Sequence, residues 1–183
     1  RIMTSLAAIL LAGGRATRLG GEAKPLLEVG GKTLLQRAVD AAVAAGAAPI
    51  IVVGPEAPVD GEVAWVREDP PFGGPVAGVV TALSALAGTP QWTLVLACDL
   101  PGAGEAVPRL LRDAELLPAD TEGVCLADES SRPQWLTGLY RTTGLRQGVR
   151  GLKNDGQGAS MRELLDGLAI AAMSAPSRDT TDV

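Results

Sequence analysis

Three short segments of the chain concentrate the residue types that can do chemistry. The first is Leu11-Ala12-Gly13-Gly14-Arg15-Ala16-Thr17-Arg18-Leu19-Gly20, followed by Lys24-Pro25. It comes directly after the apolar run Leu6 to Leu11, which reads as a buried strand. Paired glycines accept φ > 0 and let backbone N–H groups approach an anion with no Cβ in the way. Arg15, Arg18 and Lys24 add mobile positive charge, which suits a triphosphate. The alternative is an ordinary tight turn with Arg18 and Lys24 merely solvated. The coincidence of glycines, three basic residues and a strand end favours an anion-binding loop. Two familiar phosphate loops do not fit. No G-x-G-x-x-G follows the strand, and Gly31-Lys32-Thr33 ends like a Walker A loop whose first glycine would have to stand at Leu26.

The second segment, Asp69-Pro70-Pro71-Phe72-Gly73-Gly74-Pro75-Val76-Ala77-Gly78, is a stiffened loop that ends in a helix start. Such a loop can offer backbone hydrogen bonds to a nucleobase while excluding side chains, or it can be a plain long connector. The third is Ala97-Cys98-Asp99-Leu100-Pro101, which puts Asp99 at the end of an apolar strand. A carboxylate there is an apt ligand for Mg²⁺ shared with phosphate oxygens; the competing role is a helix cap on the following loop. Cys98 has no base beside it and reads as a small core residue.

The elements that must hold these segments follow from periodicity. Thr33 caps a helix whose apolar residues Leu34, Leu35, Ala38, Val39, Ala42 and Val43 share one face, with Gly46 as its stop. Strands are expected at Pro49 to Val53, Val63 to Val66, Thr93 to Ala97, Gly123 to Ala127 and Gln134 to Tyr140. Helices are expected at Val76 to Ala87, at Pro108 to Leu117 with Pro108 in the first turn, and at Met161 to Leu168. The alternation implies an α/β fold with a mainly parallel sheet, residues 1–183 forming a single domain.

Composition narrows the chemistry. The 183 residues include no histidine, which removes imidazole acid–base catalysis, His-containing triads and imidazole-ligated zinc. A formal net charge of −5, with three Trp, one Tyr and one Phe, argues against nucleic-acid binding. Cys98 and Cys125 are too few for a disulfide scaffold, no apolar run is long enough for a membrane span, and Leu6 to Ala12 lacks the features of a secretory signal. A soluble protein of the cytoplasm is the expectation.

Taken together, the three segments resemble the molybdenum cofactor guanylyltransferase family, within the nucleotidyltransferase superfamily of Rossmann-like fold. The family's L-A-G-G … R-M-G … K pattern matches Leu11-Ala12-Gly13-Gly14, Arg18-Leu19-Gly20 and Lys24, with Leu19 in place of Met. Glu68-Asp69 with Gly74-Pro75-Val76-Ala77-Gly78 is similar to its E-D … G-P-L-A-G segment, and Cys98-Asp99-Leu100-Pro101 to its C-D-x-P segment. The resemblance implies a three-layer α/β/α nucleotidyltransferase fold and transfer of GMP from GTP to Mo-molybdopterin with release of pyrophosphate. It implies nucleotide contacts from Leu11, Ala12, Gly13, Gly14, Gly74 and Pro75, phosphate binding by Lys24 and Arg18, help from Asp69 and Mg²⁺ on Asp99. Transient handover to molybdoenzyme maturation proteins is a family-level expectation, with no role for nucleic acid or membrane. A cytidylyltransferase or other phosphate-acceptor nucleotidyltransferase of the same fold, or a non-catalytic nucleotide- or pterin-binding relative, are the alternatives.

Three departures from the pattern stand out. Gly54 occupies a position where the family often has Asn, which bears on a ribose contact. Arg132-Pro133 replaces a frequent His-Pro, making Arg132 and Trp135 candidates for the pterin side or simply part of a strand edge. Asp182, near the end of the chain, is the position the resemblance offers for a second metal-side ligand.

Overall fold

The computed structural model describes residues 5–13, 18–19, 22–71 and 73–174. The chain opens with β1 (Leu6–Leu11), every residue of which is buried. Two short antiparallel ladders follow: β2 (Arg18–Leu19) with β3 (Glu22–Ala23), and β4 (Glu28–Val29) with β5 (Lys32–Thr33). A 3-10 turn, Lys24–Leu26, lies between them. Then come α1 (Leu34–Ala44), β6 (Ile50–Val53), β7 (Ala64–Val66), α2 (Pro75–Ala85) and β8 (Trp92–Ala97). The second half adds α3 (Ala103–Leu116), β9 (Gly123–Ala127), β10 (Pro133–Arg141), α4 (Thr142–Arg150), α5 (Met161–Leu165) and β11 (Ile170–Ser174).

Among the described residues the principal sheet has seven strands in the order β11-β9-β10-β8-β1-β6-β7. Neighbours are parallel except where β10 runs against β8 and β9. Alternation along β1 sends Leu6, Ala8 and Leu10 to one face and Ala7, Ile9 and Leu11 to the other. The first face packs under α1 and α3 through Leu35, Val39, Val107 and Leu110. The second packs under α2, α4 and α5 through Val76, Val79, Leu145 and Leu164. A strand covered on both sides must be apolar throughout, which is why β1 is an unbroken hydrophobic run. Each fully buried Ile or Leu there contributes about 1.5–3 kcal/mol. The result is the α/β fold with a mainly parallel sheet expected from the alternation, in the three-layer α/β/α arrangement that the resemblance implies.

Thr33 caps α1 as its position implies, its hydroxyl accepting from the Gln36 N–H at 3.0 Å, an interaction worth about 1 kcal/mol. Pro108 does not sit in a first turn. It lies inside α3, which begins at Ala103. Proline is tolerated there because it is exposed, and the carbonyl left without its helical donor belongs to Gly104, also exposed. Periodicity also misses α4 and β11. The α4 segment is rich in Thr and Gly, weak helix formers, and is held by burial of Leu145 and a 2.7 Å hydrogen bond between the Thr142 and Thr93 hydroxyls. The last helix ends at Leu165 rather than Leu168, because Gly167 turns the chain at φ +85°.

Candidate active site

Six strands, β1, β6, β7, β8, β9 and β11, point their carboxyl ends to one edge of the sheet, and β10 begins there. At this edge the backbone ladder continues past the strand ends. The Cys98 N–H donates to the Leu11 carbonyl at 3.0 Å, the Ala12 N–H to Val53 at 2.8 Å, and the Gly54 N–H to Val66 at 3.0 Å. Asp99, Gly13 and Gly54 therefore emerge side by side from β8, β1 and β6. In open α/β sheets this edge is where ligands bind.

Gly13 does not use the left-handed φ that is open to a glycine, and Gly14 lies outside the described residues. What Gly13 supplies is room. A Cβ on it would be 3.3 Å from the Gly54 Cα. Gly54 does carry a left-handed φ of +148°, and a Cβ on it would sit 3.0 Å from both the Ala12 carbonyl carbon and the Gly13 nitrogen. The two glycine backbones are in contact, so a side chain at position 54 would push on the first loop.

Asp99 stands two residues beyond the end of β8, half-buried. The residue at the cap position of the next helix is Gly102, so Asp99 is not the cap residue of α3. Cys98 beside it is fully buried, and burial, followed by the Asp99 charge, pushes its thiol far above the usual range, so it is inert core.

Lys24 opens the 3-10 turn that docks on the start of α1, where the Leu34 N–H donates to the Leu27 carbonyl at 3.0 Å. Because α1 runs back from the carboxyl edge, the turn places half-buried Lys24 at that edge. Of Arg18 the described part is its backbone, paired with Ala23. Arg15, Gly20, Phe72 and Asp182 lie outside the described residues.

The second glycine loop leads into α2, with Gly74 at the cap position (φ +94°) and Pro75 opening the helix. Asp69 is exposed. The residue that braces this loop is Glu68, whose Oε2 accepts from the Gly73 N–H at 3.1 Å. From the far end of the chain, the Gly158 N–H donates to the Gly73 carbonyl at 2.9 Å. The β9–β10 hairpin rises from the same edge. Asp128 organises it, its Oδ1 accepting from the Ser130 N–H at 2.9 Å and the Arg132 N–H at 3.0 Å. The Arg132 side chain is exposed, 3.8 Å from the Asp128 carboxylate. Beyond it the register of β10 against β9 shifts between Gln134 and Gly138, and Trp135 lies in this bulge. The Trp135 carbonyl accepts from the buried Tyr140 hydroxyl at 2.5 Å. A separate cavity of about 350 Å³ between α1 and α3 is lined by Lys32, Arg37, Asp40 and Pro108 among others, and Lys24, Asp69 and Asp99 are not part of its lining.

A model of the MobA-like NTP transferase domain matches residues 8–172, from β1 into β11. The chain belongs to the MobA-like NTP transferase family. A probable molybdenum cofactor guanylyltransferase of Synechococcus elongatus is 34% identical over 147 residues, covering 75% of this chain and 72% of that protein. A molybdenum cofactor guanylyltransferase of Nitrobacter hamburgensis is 31% identical over 149 residues, covering 78% and 69%. Among solved structures, a nucleotidyl transferase from Methanothermobacter superposes with a TM-score of 0.69 at 20% identity, over 98% of this chain and 92% of the other, a likeness of fold.

Of the two side chains that brace the second glycine loop in this MobA-like chain, Glu68 entered the sequence reading only as half of the Glu68-Asp69 pair, with no role of its own, and Gln157 escaped it. Glu68 stood next to the expected Asp69, five positions before Gly73, which is a loop-closing distance. Gln157 sits between Gly156 and Gly158, and those flanking glycines were its only signal.

No helix among the described residues is long and apolar enough to cross a membrane.

Proposed function

We propose that the chain transfers GMP from GTP to the phosphate of Mo-molybdopterin, releasing pyrophosphate. The observation that carries this reading is the side-by-side emergence of Asp99 and Gly13 at the carboxyl edge. The names of the two relatives support the acceptor and the base.

The residues suit a hard dication. Among the described residues no group of three or more His, Cys, Asp or Glu is arranged to hold a metal, so an all-protein cage is not built. Mg²⁺ needs none, since it is typically held by one or two carboxylates with phosphate oxygens and water. Asp99 would hold it, and the ion would neutralise phosphate charge.

The reaction needs little more than positioning. An oxygen of the acceptor phosphate attacks the α-phosphorus of GTP, the bond from that phosphorus to the bridging oxygen breaks, and pyrophosphate leaves with the electron pair. The acceptor is already ionised near neutral pH, so no general base is required, in keeping with a chain that has no histidine. Lys24 and Arg18 offset the crowded negative charge, the Gly13 region admits the phosphates close to backbone, and the loop from Asp69 through Gly74 and Pro75 takes the base. The cytoplasm, with its reduced thiols, is the setting of this reading.

Thermal shift with GTP, CTP, ATP and UTP, with and without Mg²⁺, tests the nucleotide half. A ligand at 100-fold its dissociation constant adds about 2.7 kcal/mol, several degrees for a domain of this size. GTP with Mg²⁺ should give the largest shift, and a larger one with CTP would overturn the guanylyl assignment. Pyrophosphate release on addition of Mo-molybdopterin tests the acceptor.

A further inference from the structure

Gly73 is buried although its neighbours Pro71 and Gly74 are exposed. Its peptide groups are held from two directions. The Glu68 carboxylate takes its N–H at 3.1 Å, and the Gly158 N–H, from the turn after α4, reaches its carbonyl at 2.9 Å. The Gln157 side chain covers its Cα: a Cβ on Gly73 would lie 2.3 Å from Oε1, 2.5 Å from Cδ and 2.6 Å from Nε2. The turn that delivers Gln157 is itself anchored. It contains the left-handed residues Asn154 and Asp155, and Gly156 is buried against Val76 and Val80 of α2.

A half-buried carboxamide resting on the glycine of a base-binding loop fixes where that loop presents its backbone groups. We propose that Gln157 is a specificity-determining residue of the nucleotide site, acting as a positioning residue through Gly73, which Glu68 braces from the other side. Selection among nucleobases is then set by a segment more than eighty positions away in the sequence (about 84 residues, from Gly73 to Gln157). This rests on the reading of the 69–75 loop as the base-binding loop.

The test is calorimetric titration of the full chain with GTP, ATP, CTP and UTP in the presence of Mg²⁺, alongside melting temperatures. Gln157→Ala removes the carboxamide. Gly73→Ala displaces it, at small cost because the clash is with the end of a flexible side chain. Both should lower the preference for the favoured nucleotide by about tenfold, the size of one lost hydrogen-bonding arrangement, with little change in melting temperature. The double variant should be no worse than either single one, because both act through the same contact. Glu68→Gln, which keeps an accepting oxygen, should preserve the preference that Glu68→Ala loses. A wild-type chain that discriminates among the nucleotides, with Gln157→Ala discriminating equally well, overturns the inference and leaves the proposed function standing. A wild-type chain that binds none of the four overturns both.

Discussion

A Cβ on Gly54 would lie 3.0 Å from the Gly13 nitrogen, and one on Gly13 would lie 3.3 Å from the Gly54 Cα. The end of β6 therefore sets the path by which the first loop leaves β1. Gly54→Ala must adopt an unfavourable φ of +148° and also push on backbone that has no flexible end to give way. A loss of about 1–3 kcal/mol is expected, measured as a shift in the urea midpoint. GTP affinity should fall as well, because the displaced segment is the proposed phosphate loop. A variant as stable as the parent would show that the contact relaxes freely.

Asp99→Ala should abolish Mg²⁺-dependent pyrophosphate release and leave the fold intact. The stability half of this expectation comes from α3, whose cap position belongs to Gly102 and not to Asp99. Circular dichroism and a melting curve check the fold, while turnover near that of the parent would remove Asp99 from the proposed metal site.

Lys24→Ala should slow turnover on the order of 10²–10³-fold, about 2.7–4 kcal/mol in the barrier, by analogy with the loss of one preorganised charge-stabilising donor. The measurement is kcat at saturating GTP. A change confined to KM would mean that Lys24 binds substrate and transition state equally.

Alkaline pH should destabilise the chain through its buried thiols. Burial pushes Cys125 up to about 11 from a usual 9.0, and Cys98 and Tyr140 are raised by the same cause. Raised folded values mean that the unfolded chain loses its protons first. The unfolded state then binds fewer protons than the native one, and stability falls as pH rises. The Cys125 contribution is fully present below about pH 9 and is lost between about 9 and 11. Urea midpoints from pH 7.5 to 10.5 should decline, more shallowly for Cys125→Ala, and a thiol reagent should label neither cysteine in the native state. Rapid native labelling would contradict the burial of both.

Much of the molecule was legible in one dimension because its strongest signals are local. Leu6 to Leu11 is apolar without interruption, and only a strand covered on both faces needs that. The capping hydroxyl of Thr33 and the stop at Gly46 act within a few residues of themselves. Asp99 was found because a carboxylate directly after an apolar strand is conspicuous. Local reading failed where neighbours in space override propensity. Pro108 sits inside α3 because its face is exposed, and α4 is helical despite its Thr and Gly because Leu145 is buried.

The sequence by itself determined the α/β class, the family and the residues of three motifs, since these depend on hydrophobic period and on residue types close together along the chain. Only the tertiary structure decided how the motifs meet. It brought Gly54 against Gly13, put Gly102 and not Asp99 at the cap of α3, and laid Gln157 over Gly73. Contacts between segments so far apart depend on strand order and helix packing, which come from burying both faces of one sheet and leave little trace in local sequence.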